Sequence, residues 1–140
     1  MGKLDPYQRL LRKIGTCPII MTAHVVHKGL DPKGYPASIS HAITTDLLRK
    51  KLKFNGVVVT DDLQMGAIKD HYGIAEATRL AINAGADILV FGNQLVAVPQ
   101  DPKAIVDLIY QDVKTGKIPL KRINESYQRI MRLKKLLASA

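Results

Sequence analysis

Gly56-Val57-Val58-Val59-Thr60-Asp61-Asp62-Leu63-Gln64-Met65 decides the fold. Val57 to Thr60 are consecutive β-branched residues, and all but the last are apolar. Such a run reads as a strand buried on both faces, the kind a parallel α/β sheet contains. Two carboxylates follow at its C-terminal end, where parallel α/β sheets and barrels bind ligands and do chemistry. Adjacent carboxylates in a confined place repel each other and shift each other's pKa. Asp61 and Asp62 are therefore candidate functional residues. A second use stays open, because Asp after a strand is a common helix N-cap, and Asp62 is placed to cap a turn over 63–68. Side chains alternate along a strand. One of the two carboxylates is thus expected to face the site and the other to face away.

Outward from this strand the pattern repeats. Ile19 to Ala23 is a short apolar strand closed by His24. A histidine at a strand's C-terminal end is a candidate pocket residue or general acid/base; its plainer use is to hydrogen-bond a neighbouring loop. Residues 25–40 carry Gly29, Asp31-Pro32, Gly34 and Pro36 and read as a loop. Loops of this length in a compact domain are usually functional or mobile. Ser40 or Thr44 is expected to cap a helix with Ile43, Leu47, Leu48 and Leu52 on one face. A helix over 73–84, stopped by Gly85, leads to a third strand over 87–91. That strand ends in Gly92-Asn93. Asn93 is a candidate substrate contact, or it only shapes the turn, the commoner use of Asn there. Asp101-Pro102 opens a helix with Ile105, Leu108, Ile109 and Val113 inward and Gly116 as its stop. A last helix from about Leu120 is expected to turn Ile123, Tyr127, Ile130, Leu133 and Leu137 inward. A first helix is expected over 5–14. The order is α/β with parallel strands, in a single domain over 1–140 with no internal linker.

Composition narrows the function classes. The chain has 140 residues, 46% hydrophobic and 24% charged, which suits one domain with a real core. A single cysteine, Cys17, excludes an internal disulfide and fits a reducing compartment. From the polar N-terminus no signal peptide is expected, and no apolar run in the sequence is long enough for a membrane span; a cytoplasmic location is expected. The net charge is +9, from 21 Lys plus Arg against 12 Asp plus Glu. These cations, among them Arg122, Arg129 and Arg132, fall at positions expected on solvated helix faces. No nucleic-acid partner is expected, since aromatic interleaving and zinc spacings are missing.

Leu47-Leu48-Arg49, Lys51 and Gly56-Val57-Val58-Val59-Thr60-Asp61-Asp62-Leu63 resemble the active-site signature of family 3 glycoside hydrolases, in its bacterial β-N-acetylglucosaminidase branch. Ile20-Met21-Thr22-Ala23-His24, Pro36-Ala37-Ser38-Ile39-Ser40 and Ala84-Gly85-Ala86-Asp87-Ile88-Leu89-Val90 extend the resemblance over nearly the whole chain. Gln64 departs from it, standing where that signature usually has a smaller residue. The resemblance implies a partial (β/α)₈ TIM barrel, about the last three βα units plus C-terminal helices. It implies retaining hydrolysis of terminal β-N-acetylglucosaminyl bonds, with Asp61 as nucleophile and no cofactor or metal. Asp62, Met65, His24 and Asn93 would line the sugar site. The branch's acid/base motif, Lys-His-x-Pro-Gly-His-Gly, does not occur here, so little activity is expected of this chain alone. Self-association, or pairing with a missing N-terminal half of the barrel, is expected from open sheet edges. A non-catalytic scaffold or split-barrel fragment and a basic binding module are the alternatives.

Overall fold

The computed structural model describes residues 18–94 and 99–139. The expected helix over 5–14 and Cys17 lie outside the described residues. Three parallel strands form one sheet in the order β1 (Ile19–Thr22), β2 (Val57–Asp62), β3 (Ile88–Val90). The expected α/β architecture is present, and the Val-rich run is the central strand. Helices α1 (Ala42–Lys51), α2 (Gly66–Ala84), α3 (Pro102–Lys114) and α4 (Leu120–Ala138) complete it. Among the described residues no helix is long and apolar enough to cross a membrane.

β2 begins beside β1 because Gly56 has no side chain. A Cβ there would stand 2.5 Å from the Phe54 ring and 2.7 Å from the Pro18 carbonyl oxygen. The next residue uses that closeness, Val57 N–H donating to Pro18 C=O at 2.9 Å. Val58 faces the helices and joins Ile39, Phe54, Leu63, Ile68, Ala77, Ala81 and Ala86 in the core. The other face of β2 carries Val57, Val59 and Asp61. Ile19 and Met21 lie in register beside Val57 and Val59 and are 42% and 61% exposed. The main core lies between the sheet and α1–α2, while the opposite face is covered at Val57, 1% exposed, and open along β1.

Ser40 caps α1, its Oγ accepting from Ile43 N–H at 3.1 Å. The helix is wound wider than an α-helix, with Leu52 N–H reaching Leu47 C=O. The helix expected from Gly73 is present, joined at Gly73 to a preceding helical segment where the sequence suggests only a short turn. α2 runs from Gly66 and kinks at Gly73 (φ 68°, ψ 162°), a left-handed position that glycine tolerates. Gly85 ends it as expected, at φ 117°. Asp101 caps α3 by accepting from Lys103 N–H. α3 is tied to α2 by a fork of Arg79 onto the buried Asp112, at 2.7 and 3.2 Å.

The last helix meets the sequence expectation only in part, with Ile123, Ile130 and Leu133 half-buried. Tyr127 and Leu137 are 63% and 64% exposed, and no residue of α4 is fully buried. Much of its docking is ionic. Arg122, Ser126 and Arg129 (spacing i, i+4, i+7) all reach Asp87, whose side chain is 0% exposed. Arg49 of α1 reaches the same carboxylate from the other side. Arg122 and Arg129 are therefore not on a solvated face. Their spacing is that of any helix stripe, and only the fold reveals that a buried anion lies beneath it.

Candidate active site

The carboxylates stand at the C-terminal end of the central strand, half-buried, and neighbours in sequence occupy opposite faces. Asp61 lies on the sheet face away from the helix core. Its Oδ1 accepts the N–H of Asp62 at 2.8 Å, which fixes the carboxylate against its own strand. Asp62 lies on the helix side. Its Oδ1 accepts from Gln64 N–H at 3.0 Å, and its C=O from Met65 N–H at 3.1 Å. Asp62 does not cap α2, whose N-cap is Met65 without a side-chain bond; its carboxylate instead holds a tight turn ahead of the helix. Its other oxygen sits 2.6 Å from where a Cβ on Gly92 would be, so glycine at 92 leaves room for it.

His24 lies two residues beyond β1, next to this turn. Its Nε2 is 2.7 Å from Asp62 C=O and its Nδ1 is 2.7 Å from Ser38 Oγ. A carbonyl oxygen only accepts, so Nε2 carries the hydrogen, and in the neutral ring Nδ1 accepts from the Ser38 hydroxyl. Both ring nitrogens are occupied within the protein. Ser38 is fully buried on a short 3₁₀ turn, Ala37–Ile39, whose backbone is stitched to the chain after β1 through Ala23 and Val25. The loop over 25–40 is further fastened by the buried Asp31, which accepts from Ser40 Oγ at 2.6 Å and Lys33 N–H at 2.9 Å.

Asn93 follows β3 at φ 56°. Its N–H donates to Gln64 Oε1 at 2.6 Å, and its Oδ1 accepts from Gln64 Nε2 at 2.8 Å. The same oxygen accepts Gln100 N–H, and Nδ2 donates to Gln100 C=O. Asn93 thus closes the connection after β3. Gln64, only 3% exposed, is the residue whose importance the sequence hid. It is the one departure noted within the active-site stretch, and its amide joins the two strand ends. Met65 opens α2 and is half-buried. Among the described residues no group of three or more His, Cys, Asp or Glu side chains could hold a metal.

The parallel sheet carries two carboxylates at the C-terminal end of its central strand, the end at which α/β folds place ligands. The chain belongs to glycosyl hydrolase family 3. The family described as "Glycosyl hydrolase family 3 N terminal domain" matches residues 1–133. A β-hexosaminidase of Glaesserella parasuis is 33% identical over 133 residues, covering 95% of this chain and 35% of the relative. A secreted glycosyl hydrolase of Arthroderma benhamiae, itself uncharacterised, is 34% identical over 134 residues, 36% of its length. Among solved structures, a family 3 β-N-acetylglucosaminidase from Paenibacillus sp. superposes with a TM-score of 0.84 at 34% identity, over 94% of this chain and 24% of that one. The β-N-acetylglucosaminidase of Thermotoga maritima gives 0.79 at 26%, over 91% of this chain and 27% of that one. The chain spans about a third of the length of these curated relatives.

Proposed function

We propose that this chain carries the nucleophile-bearing part of a retaining β-N-acetylhexosaminidase, as the last three βα units of a (β/α)₈ barrel. The observation that carries the reading is Asp61, at the C-terminal end of the central strand, on the face away from the helices, with one oxygen held by the Asp62 N–H. Its other oxygen attacks the anomeric carbon; the bond to the leaving-group oxygen breaks, and a glycosyl ester forms that water later cleaves. Met65 packs at the pocket wall. The sugar is an N-acetylglucosaminyl unit of the kind found in peptidoglycan fragments, in keeping with the names borne by the relatives.

The 140 residues contain no Lys-His-x-Pro-Gly-His-Gly run, the acid/base motif of that branch. General acid catalysis is worth roughly 10²–10⁴-fold. Natural linkages, whose leaving groups need a proton, are therefore turned over barely or not at all by these residues alone. An activated donor bypasses that need. The test is intact mass after incubation with a fluorinated N-acetylglucosaminyl donor bearing a dinitrophenolate leaving group. The expected result is a one-sugar adduct mapping to Asp61 and absent in Asp61→Ala. No adduct on protein shown to be folded by circular dichroism would overturn the reading.

A further inference from the structure

We propose that His24 is the positioning residue of the Asp61 nucleophile, acting through the main chain of Asp62 and not through the sugar. The inference deepens the reading of Asp61 as nucleophile and rests on it.

A continuous path of hydrogen bonds runs from the loop to the carboxylate. Ser38 O–H donates to His24 Nδ1, and His24 Nε2–H donates to Asp62 C=O, each at 2.7 Å. The N–H of Asp62 in turn donates to Asp61 Oδ1 at 2.8 Å. His24 thus grips Asp62 at its carbonyl, while the amide of the same residue orients Asp61. Met65 N–H shares that carbonyl at 3.1 Å. The Met65 bond is local to the turn, whereas His24 ties the turn to a different strand, 38 residues away. The far end is buried and tied down, Ser38 being 0% exposed with its N–H bonded to Ala23 C=O.

The geometry also weighs against the two other uses of a histidine here. A general acid/base needs a ring nitrogen free to exchange a proton with the reacting group, and both nitrogens are taken. A sugar contact needs a free donor or acceptor, and the neutral ring has none left. The groups facing the ring are a hydroxyl and a carbonyl, so the Nε2–H tautomer is set by its partners.

The experiment compares His24→Leu, which removes the donor, with His24→Gln, whose side-chain amide replaces it. First-order labelling of Asp61 at saturating activated donor is separated from the donor concentration giving half the maximal rate. Small misplacements of reacting groups cost up to about 10²-fold. His24→Leu is expected to slow labelling at saturation at least tenfold with half-saturation unchanged, and His24→Gln to restore the rate to within about threefold. A rise in half-saturation with the limiting rate preserved would make His24 a sugar contact and overturn the proposal, as would an unaffected His24→Leu. Long-range ¹H–¹⁵N spectra of the imidazole, run on the same wild-type chain, read the tautomer without any sugar. A proton on Nε2 is expected, and one on Nδ1 would overturn the proposal whatever the labelling shows. Failure of the wild type to label at all would sink the nucleophile reading, and with it the role of His24 toward Asp61.

Discussion

Asp87→Asn is the substitution that tests the architecture most severely. The two oxygens of Asp87 take five hydrogen bonds. Oδ2 accepts from Arg49 Nη2 at 2.6 Å and Val58 N–H at 3.0 Å. Oδ1 accepts from Ser126 Oγ at 2.6 Å and from Arg122 and Arg129 at 3.0 Å. An asparagine of the same shape must turn its NH₂ toward one of these sets of donors, and it withdraws the charge from guanidiniums that are only 10–15% exposed. Removing one partner of a buried ion pair typically costs about 3–5 kcal/mol. Whole domains of this size hold about 5–15 kcal/mol, so the variant should stand near the edge of folding. With a urea m-value of about 2 kcal/mol/M, the unfolding midpoint should fall by roughly 2 M. Arg132→Gln, at an exposed position of the same helix, should move stability by no more than about 0.5 kcal/mol. A midpoint for Asp87→Asn within about 0.3 M of wild type at equal m would refute the ledger.

The same carboxylate sets an acid limit. Burial pushes its pKa up, but the Ser126 hydroxyl, the Val58 N–H and the arginines outweigh burial and hold it below the ordinary aspartate value. A lowered folded-state pKa gives stability that is whole above the unfolded value of about 3.9 and lost as pH falls through the folded one. Wild type should therefore lose stability steeply below about pH 4, and Asp87→Asn should show a shallower slope there in pH-dependent urea titrations. Gly92→Ala puts a methyl 2.6 Å from an Asp62 oxygen; it should slow Asp61 labelling while leaving the far-ultraviolet circular dichroism unchanged. Gln64→Leu strips the amide partners from Asn93 and should cost about 1–3 kcal/mol in urea unfolding. Asp61→Asn should abolish labelling yet shift the unfolding midpoint by less than about 0.5 kcal/mol equivalent, since its carboxylate is not part of the core.

What could be read in the sequence was what is local. Val57 to Thr60 announce a central strand because β-branching and burial on both faces are written in consecutive residues. Gly85 and Asp101 mark a helix stop and a helix start because the backbone conformations they serve are short-range. The site was half legible. Asp61 and Asp62 stood out by their place at a strand end, whereas His24 was visible only as a candidate. Its partners, Ser38 and Asp62, lie 14 and 38 residues away, and nothing in the local sequence says that both ring nitrogens are used. Gln64 looked like a minor departure for the same reason, since Asn93 is 29 residues distant. Arg122 and Arg129 were misread because an arginine stripe on a helix looks alike over water and over a buried anion. Their separations from Asp87, 35 to 42 residues, exceed what periodicity can sense.

The way α4 is fastened has a consequence for how the chain comes apart. A helix held by a broad greasy face can fray turn by turn, each loosened contact costing little. α4 has no fully buried residue, and its guanidiniums and hydroxyl converge on one carboxylate shared with α1 and the start of β2. Releasing that carboxylate strands several charges at once, so intermediate degrees of detachment are penalised. The C-terminal helix is therefore expected to exchange its amide hydrogens together with the centre of the sheet, as one cooperative unit and not as a loose tail.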